Sequence, residues 1–102
     1  MGRVSRALPP VLSRAGVTLD RARHRVIRDG TDLALTRKEF AVLEVLLAAQ
    51  GTIVTTEDLL QRVWDERADP LSNVARITVS NLRRKLGNPP VIETVSGVGY
   101  RL

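Results

Sequence analysis

The sequence predicts an α+β domain in which a small antiparallel sheet precedes three helices and a terminal β-hairpin. Three observations indicate this order. Short strand-like runs fill residues 17–36, capping patterns with helical apolar spacing fill residues 36–86, and glycines interrupt the strand-like ending "VIETVSGVGYRL". The 102 residues fit one domain. We place this domain at residues 17–102, after a flexible linker or tail at residues 1–16.

Residues 1–16 show no apolar periodicity that would bury a face. They carry three arginines and the adjacent prolines Pro9 and Pro10, a composition typical of a linker or tail. Two interpretations stay open, namely a fraying or vector-derived terminus and a linker between domains. Because the basic start leads into prolines and not into a long apolar segment, no signal peptide is predicted.

The opening sheet is predicted from the runs "VTLD", "RHRVIRD" and "TDLALT". Asp29 and Gly30 separate the last two runs, and both residue types tolerate the positive φ that a two-residue hairpin turn requires. His24, the single histidine, is expected on the surface of a strand.

The first helix is predicted over "TRKEFAVLEVLLAAQG". Thr36 and Glu39 have the spacing of a capping box, and Gly51 is suited to ending the helix. Three apolar side chains share one face of this helix: Phe40, Leu43 and Leu47. The helix is therefore expected to form part of the core.

A second capping pattern at Thr55 and Asp58 predicts a short helix over "TEDLLQRVW". Its apolar contacts come from Leu59, Leu60 and Val63, and Trp64 ends the run. Residues 65–71 hold three acidic residues and a proline, which predicts a loop.

The stretch "ARITVSNLRRKLG" predicts a third helix with two unlike faces. A rotation of about 100° per residue places four apolar residues in one narrow stripe that faces the core: Ala75, Val79, Leu82 and Leu86. The opposite side is polar and basic, with one isoleucine: Asn73, Arg76, Ile77, Ser80, Asn81 and Arg84, with Arg83 at the flank. Gly87 and the prolines after it end the helix.

This outer face suits the major groove of DNA. Arginine neutralises phosphate or binds guanine, asparagine pairs with adenine, and an aliphatic side chain packs on a thymine methyl. The 16 basic and 11 acidic residues give a net charge of +5, which favours a polyanionic partner. A solvated amphipathic helix explains the composition equally well. The order of the elements, however, is that of a winged helix-turn-helix, with the terminal hairpin as the wing.

Several function classes are disfavoured. The chain has no cysteine and one histidine, so thiolate and multi-histidine metal sites are excluded, and we expect no metal and no cofactor. The carboxylates show no catalytic pairing, so no enzyme is predicted. Residues 97–99 form a hairpin tip and not a phosphate-binding loop, because no helix comes after them. Residues 40–49 form the longest apolar run. Glu44 interrupts this run, which is also too short to span a bilayer, and a cytoplasmic location is expected.

Four segments together resemble the OmpR/PhoB-type winged-helix output domain of bacterial two-component response regulators: "LTRKEFAVLEVLL", "VTTEDLLQRVW", "VSNLRRKLG" and "IETVSGVGYRL". The resemblance covers the chain from about Val17 to its last residue. It implies a four-stranded N-terminal antiparallel sheet, three helices with a short strand after the first, and a C-terminal β-hairpin wing. The third helix would lie in the major groove of double-stranded DNA, and the wing would reach the adjacent minor groove.

The resemblance also implies site residues. Ile77 matches a position that meets thymine methyls, and Trp64 and Thr94 match phosphate-contacting positions. For Trp64, packing in the core stays open beside contact with the DNA backbone. Tyr100 closes the wing, and a structural role is favoured for it. Four positions differ from the usual pattern of the family: Arg76, Thr78, Asn81 and Ser96, the last of which replaces a basic wing residue. The candidate DNA-binding set is Trp64, Asn73, Arg76, Ile77, Thr78, Ser80, Asn81, Arg83, Arg84, Thr94, Ser96, Gly97 and Tyr100.

Partners are implied as well. Family members often touch RNA polymerase through the loop at residues 65–71, whose candidate contacts are Asp65, Glu66, Arg67 and Asp69. A response regulator would carry a receiver domain before this domain, and residues 1–16 are too short to form one. We therefore expect an output domain excised with its linker, and a stand-alone regulator is the alternative. We expect a monomer in isolation, with head-to-tail pairing on direct-repeat DNA.

A function of another class stays open. The same fold can dock a protein such as RNA polymerase through its basic helix or its acidic loop without base readout. Salt separates the two hypotheses, because phosphate binding weakens steeply with ionic strength. RNA is a weaker alternative, since only three aromatic residues are present and no platform for stacking unpaired bases is evident.

Overall fold

Four antiparallel strands open the fold. The computed structural model describes residues 9–65 and 72–102. Its first sheet has the order β1-β2-β3-β4. The strands are β1 (Val11–Arg14), β2 (Val17–Asp20), β3 (Arg25–Arg28) and β4 (Thr31–Leu33). Each strand pairs with the next in sequence, so the expected four-stranded N-terminal sheet is confirmed.

Strand β1 differs from the expectation of a tail that extends through residue 16. Val11 to Arg14 pair in register with β2, and the side chain of Leu12 is only 7% exposed. The run "VLSR" buries a single side chain, so apolar periodicity could not reveal it, and its order depends on the partner strand. The ordered domain therefore begins before residue 17, whereas residues 1–8 of the expected tail lie outside the described residues.

The turns of the sheet test two sequence expectations. Asp29 and Gly30 have φ angles of 48° and 86°, as the predicted two-residue hairpin requires. His24 lies in the turn between β2 and β3 with φ of 55°, so its expected place on a strand is wrong. Its ring stacks on Phe40 with the centroids 3.8 Å apart.

Helix α1 (Arg37–Ala48) begins with the predicted capping box. Thr36 Oγ1 accepts a hydrogen bond from the Glu39 amide at 3.2 Å, and Glu39 Oε1 accepts one from the Thr36 amide at 2.9 Å. After the helix ends, Gln50 and Gly51 adopt positive φ angles. Phe40, Leu43 and Leu47 are buried, as predicted.

Helix α2 (Thr56–Val63) comes directly after the two-residue strand β5 (Val54–Thr55). Thr55 Oγ1 accepts a hydrogen bond from the Asp58 amide at 3.1 Å, while the Asp58 carboxylate pairs with Arg62 at 3.2 Å. The predicted cap by Thr55 is therefore present, whereas the Asp58 side chain binds Arg62. Leu59, Leu60 and Val63 are buried on the inner side of α2.

Helix α3 (Val74–Leu86) packs against both α1 and α2. The four predicted stripe residues are each at most 5% exposed: Ala75, Val79, Leu82 and Leu86. They join the core formed by α1 and the inner face of the first sheet. The predicted division of α3 into an apolar and a polar face is therefore confirmed.

The C-terminal hairpin consists of β6 (Glu93–Val95) and β7 (Gly99–Arg101). Strand β7 also pairs with β5, which gives a second sheet of order β5-β7-β6. A Cβ on Gly99 would overlap the carbonyl oxygen of Val54, so this close approach of the two strands requires glycine. Sheet, helices and hairpin together form the predicted winged helix-turn-helix.

Replacing Gly99 with alanine should destabilise the fold, because the added Cβ forces β5 and β7 apart. We expect Gly99→Ala to lower the free energy of unfolding by about 3 kcal/mol, measured by urea denaturation. Gly97→Ala is the control, since Gly97 has a φ of 75° but open space around it, and its positive φ alone costs about 1 kcal/mol. Equal losses in the two variants would contradict the close approach.

Candidate nucleic-acid interface

The outward face of α3 presents an isolated aliphatic side chain among polar ones. Ile77 is 56% exposed, and Arg76, Ser80 and Arg84 are exposed beside it, while Asn81 is half-buried. Burying α3 through its narrow apolar stripe leaves these side chains directed away from the core. This face therefore combines an exposed apolar side chain with neighbouring positive charge.

Two arginine–asparagine pairs organise this face. Arg76 Nη2 donates to Asn73 Oδ1 at 3.0 Å, and Arg84 Nη2 donates to Asn81 Oδ1 at 2.7 Å. Each pair spans three positions along α3. A guanidinium carries five N–H donors and an amide keeps its NH₂ group, so both pairs retain donors for a further partner.

Two predicted contact residues are directed inward. Thr78 is 9% exposed and its hydroxyl donates to the carbonyl oxygen of Val74 at 2.8 Å. Tyr100 is 7% exposed and belongs to the core. Helical rotation directs Thr78 to the core, and strand alternation does the same for Tyr100. Neither residue therefore lies on the exposed surface that the other candidates share.

Arg83, at the flank of α3, extends to the wing. Its Nε and Nη2 atoms donate to the carbonyl oxygen of Ile92 at 3.2 and 3.1 Å, and Nη2 also contacts Thr94 Oγ1. Its Cζ atom lies 5.8 Å from the centroid of the Tyr100 ring. The wing is thus held beside α3, and its exposed residues Ser96 and Gly97 extend the candidate surface.

Trp64 forms the end of α2 and is half-buried. Lys38 Nζ lies 5.6 Å from the centroid of the indole ring and donates to the Val63 carbonyl oxygen at 3.0 Å. A cation at this point satisfies a C-terminal carbonyl of α2 and interacts with its dipole. The next residue, Asp65, is exposed, whereas Glu66, Arg67 and Asp69 of the predicted polymerase-contact loop lie outside the described residues.

The C-terminal end of α3 is held by Arg28 of β3, which the sequence prediction missed. Arg28 is 6% exposed. Its Nη1 atom donates to the carbonyl oxygens of Leu86 and Gly87 at 2.8 and 2.9 Å, and Nη2 donates to Pro89 at 2.5 Å. A buried guanidinium therefore caps the negative end of the helix dipole. Strand alternation places Arg28 on the same face as Val26, and this inward position was the available signal.

Glu39 ties the same end of α3 to the start of α1. Lys85 Nζ lies 2.7 Å from Glu39 Oε1, which also accepts the Thr36 amide. Burial by itself would raise the pKa of Glu39, but the hydrogen bonds from Lys85 and Thr36 and the charge of Lys85 outweigh this effect and hold the pKa below its ordinary value. The carboxylate is therefore ionised in the folded domain at neutral pH.

No group of three or more histidine, aspartate or glutamate side chains in residues 9–65 and 72–102 could hold a metal ion. Within the same ranges, no helix is both long and apolar enough to cross a bilayer.

Comparison with known proteins agrees with this geometry. Residues 30–102 match the family described as "Transcriptional regulatory protein, C terminal". The chain belongs to this family. The predicted resemblance to OmpR/PhoB-type output domains is confirmed. The transcriptional regulatory protein CutR of Streptomyces coelicolor is 58% identical over 100 residues, which are 98% of this chain and 46% of CutR. The chain thus spans about half the length of this curated relative.

Solved structures of regulators in this family share the fold. The DNA-binding domain of CpxR from Escherichia coli superimposes with a TM-score of 0.82 at 34% identity, covering 92% of this chain and 96% of that one. The Klebsiella pneumoniae RstA DNA-binding domain, determined in complex with the RstA box, gives 0.80 at 27% identity, with coverage of 90% and 95%. These likenesses extend over nearly all of the chain.

The pairing of Glu39 predicts a dependence of stability on acid pH. Because the pKa is lowered on folding, the ionised carboxylate adds stability above the ordinary glutamate pKa, and this contribution is lost as pH falls through the lowered value. Glu39→Gln should therefore cost about 1–2 kcal/mol at pH 7 and much less at pH 3, in a series of thermal melts.

The matched variant Lys85→Gln removes the cationic partner and leaves the carboxylate in place. Its cost should also shrink as the pH falls through the lowered pKa of Glu39, because a protonated carboxyl no longer forms an ion pair with the ammonium. A difference in Tm between wild type and Glu39→Gln that stays constant from pH 7 to pH 3 would contradict the lowered pKa.

Proposed function

We propose that this chain binds double-stranded DNA sequence-specifically to regulate transcription, as the output domain of a bacterial two-component response regulator. The observation that carries the proposal is the outward face of α3, on which Ile77 is 56% exposed between Arg76, Ser80 and Asn81. A helix of this kind fits the major groove, which offers phosphates, base edges and thymine methyls. The likeness to RstA, whose structure was determined in complex with the RstA box, supports it.

The side chains of this face divide by chemistry. Arg76 and Arg84 are cations suited to phosphates or to guanine, Asn81 offers an amide to adenine, and Ile77 offers its aliphatic chain to a thymine methyl. Ser80 is exposed between them as a short hydroxyl. Asn73, at the start of α3, is positioned by its bond to Arg76.

The wing is the second contact region. Thr94, Ser96 and Gly97 are exposed, and Trp64 presents a half-buried indole at the end of α2. Ser96 is uncharged, so the wing would contact the minor groove through hydroxyl and backbone groups and not through an inserted cation. We therefore assign most of the sequence discrimination to α3.

Regulation would come from the remainder of the protein. Because the chain spans about half of CutR, we propose that a receiver domain belongs to the full-length protein and controls pairing of two copies head-to-tail on direct repeats. We further propose contact with RNA polymerase through the segment that begins at Asp65, which is exposed. The cytoplasm is the proposed location.

The first test is selection from a random duplex library, and then fluorescence anisotropy with the selected and a scrambled duplex across a salt series. We expect the selected duplex to bind more than tenfold tighter, and both affinities to fall steeply with salt. Equal, salt-sensitive binding to both duplexes would leave only non-specific electrostatic binding. Absence of binding at low salt would move a protein-docking function to first place.

Ile77→Ala and Asn81→Ala should reduce discrimination at single base pairs. If each side chain contacts a base, the penalty for changing that base should shrink by about 1–3 kcal/mol, measured by anisotropy with single-substitution duplexes. Ile53→Ala is the matched control, because Ile53 is also exposed, at 40%, but lies outside α3 and the wing. Equal losses on selected and scrambled DNA would remove Ile77 and Asn81 from base recognition.

Arg84→Ala should lower the salt dependence of binding. Removing one phosphate contact reduces the slope of log K against log salt by roughly 0.9 and weakens binding to all sequences alike. Arg23→Ala removes the same charge from the turn between β2 and β3, where the side chain is 72% exposed, and should leave the slope unchanged. Equal changes in both variants would show a general charge effect and would refute the contact.

A further inference from the structure

Arg83 joins α3 to both strands of the wing. Its guanidinium donates twice to the Ile92 carbonyl oxygen, just before β6, and contacts Thr94 Oγ1 within β6. It also lies near the face of the Tyr100 ring in β7, with Cζ 5.8 Å from the ring centroid. We propose that Arg83 is a positioning residue that fixes the wing relative to α3, and thereby determines where the wing lies on DNA. This inference rests on the proposed DNA-binding function.

The wing has a specific need for such a link. Strand β6 is the outer strand of the sheet β5-β7-β6 and pairs only with β7. Strand β7 is anchored from its other side, where Val54 and Thr55 pair with Tyr100 and Gly99. In the described chain, the hydrogen bonds from α3 to the β6 side of the wing come from Arg83. Without them, β6 would depend on its pairing with β7 and on the buried side chain of Ile92.

The planar shape of the Arg83 guanidinium determines how the side chain contacts the wing. Nε and Nη2 lie on one edge of a rigid planar fork, and both bind the same carbonyl oxygen of Ile92. This two-point contact fixes an orientation as well as a distance. A lysine ammonium is a point charge on a flexible stem and cannot reproduce it. The positive charge of Arg83 and its positioning role are therefore separable by substitution.

The neighbouring residue provides a matched control. Arg84 is exposed, and it donates to Asn81 of the same helix at 2.7 Å. Arg83→Lys and Arg84→Lys both keep the charge of α3. Only the first removes a contact to the wing.

The first measurement is amide hydrogen exchange of the DNA-free protein. We expect Arg83→Lys to raise exchange rates in β6 and β7 by about fivefold or more through local opening of the wing, with α1 and α2 unchanged. Arg84→Lys should leave the wing at its wild-type rates. Unchanged wing exchange in Arg83→Lys would overturn the proposal.

The second measurement locates the wing on DNA. The chain has no cysteine, so Val98→Cys introduces a unique attachment point for an iron chelate in the hairpin turn, where Val98 is exposed and is not among the proposed DNA contacts. On a duplex selected with the wild-type chain, cleavage should centre on a few nucleotides. Adding Arg83→Lys should spread or shift these cuts at equal occupancy, whereas adding Arg84→Lys should preserve their positions.

The two measurements fail independently. If Arg83 only neutralises a phosphate, Arg83→Lys will match Arg84→Lys in cleavage pattern and in wing exchange, and the proposal falls while DNA binding stands. If the wild-type chain binds no duplex, the proposed function falls, and hydrogen exchange still decides whether Arg83 holds the wing.

Discussion

Burial of one side of α3 is the constraint on which the rest of the structure depends. Ala75, Val79, Leu82 and Leu86 form a stripe only one residue wide, and all four are packed into the core. A stripe this narrow permits one rotation of the helix about its axis. That rotation directs Ile77 outward and turns the hydroxyl of Thr78 back to its own helix. The chemistry of the exposed face is therefore set by packing on the opposite side.

Basic side chains hold the C-terminal ends of helices α2 and α3, where backbone carbonyl groups lack partners within the helix. Arg28 caps α3, Lys38 reaches the end of α2, and Lys85 joins α3 to the buried carboxylate of Glu39. Each contact places positive charge at a negative helix end or beside a carboxylate. These three basic side chains therefore have structural contacts, whereas Arg76 and Arg84 are exposed on the outer face of α3.

Features that depend on spacing within one segment were predictable from the sequence. The capping box at Thr36, the hairpin at Asp29 and the two faces of α3 are of this kind, and all are confirmed. The features that sequence reasoning missed depend on contacts between distant segments. Strand β1 is ordered by pairing with β2, and Arg28 meets carbonyls about 60 positions away. Likewise, helical rotation placed Arg83 at the flank of α3 and Arg84 on its outer side, but it could not show that Arg83 contacts the wing.

The buried contacts of Arg28 have a consequence for where this domain can be cut. The recognised family region begins at residue 30, yet Arg28 and the paired strands β1 to β3 lie before it. Arg14 of β1 likewise donates to the carbonyl oxygen of Leu102, at 2.8 Å. A fragment trimmed to the matched region would keep every residue of the outer face of α3. It would nevertheless lose Arg28, which caps the end of that helix, and strands β1 to β3 of the first sheet. It would also lose the hydrogen bond from Arg14 to Leu102. A recombinant fragment of this kind would contain the residues of the outer face without the contacts that position α3.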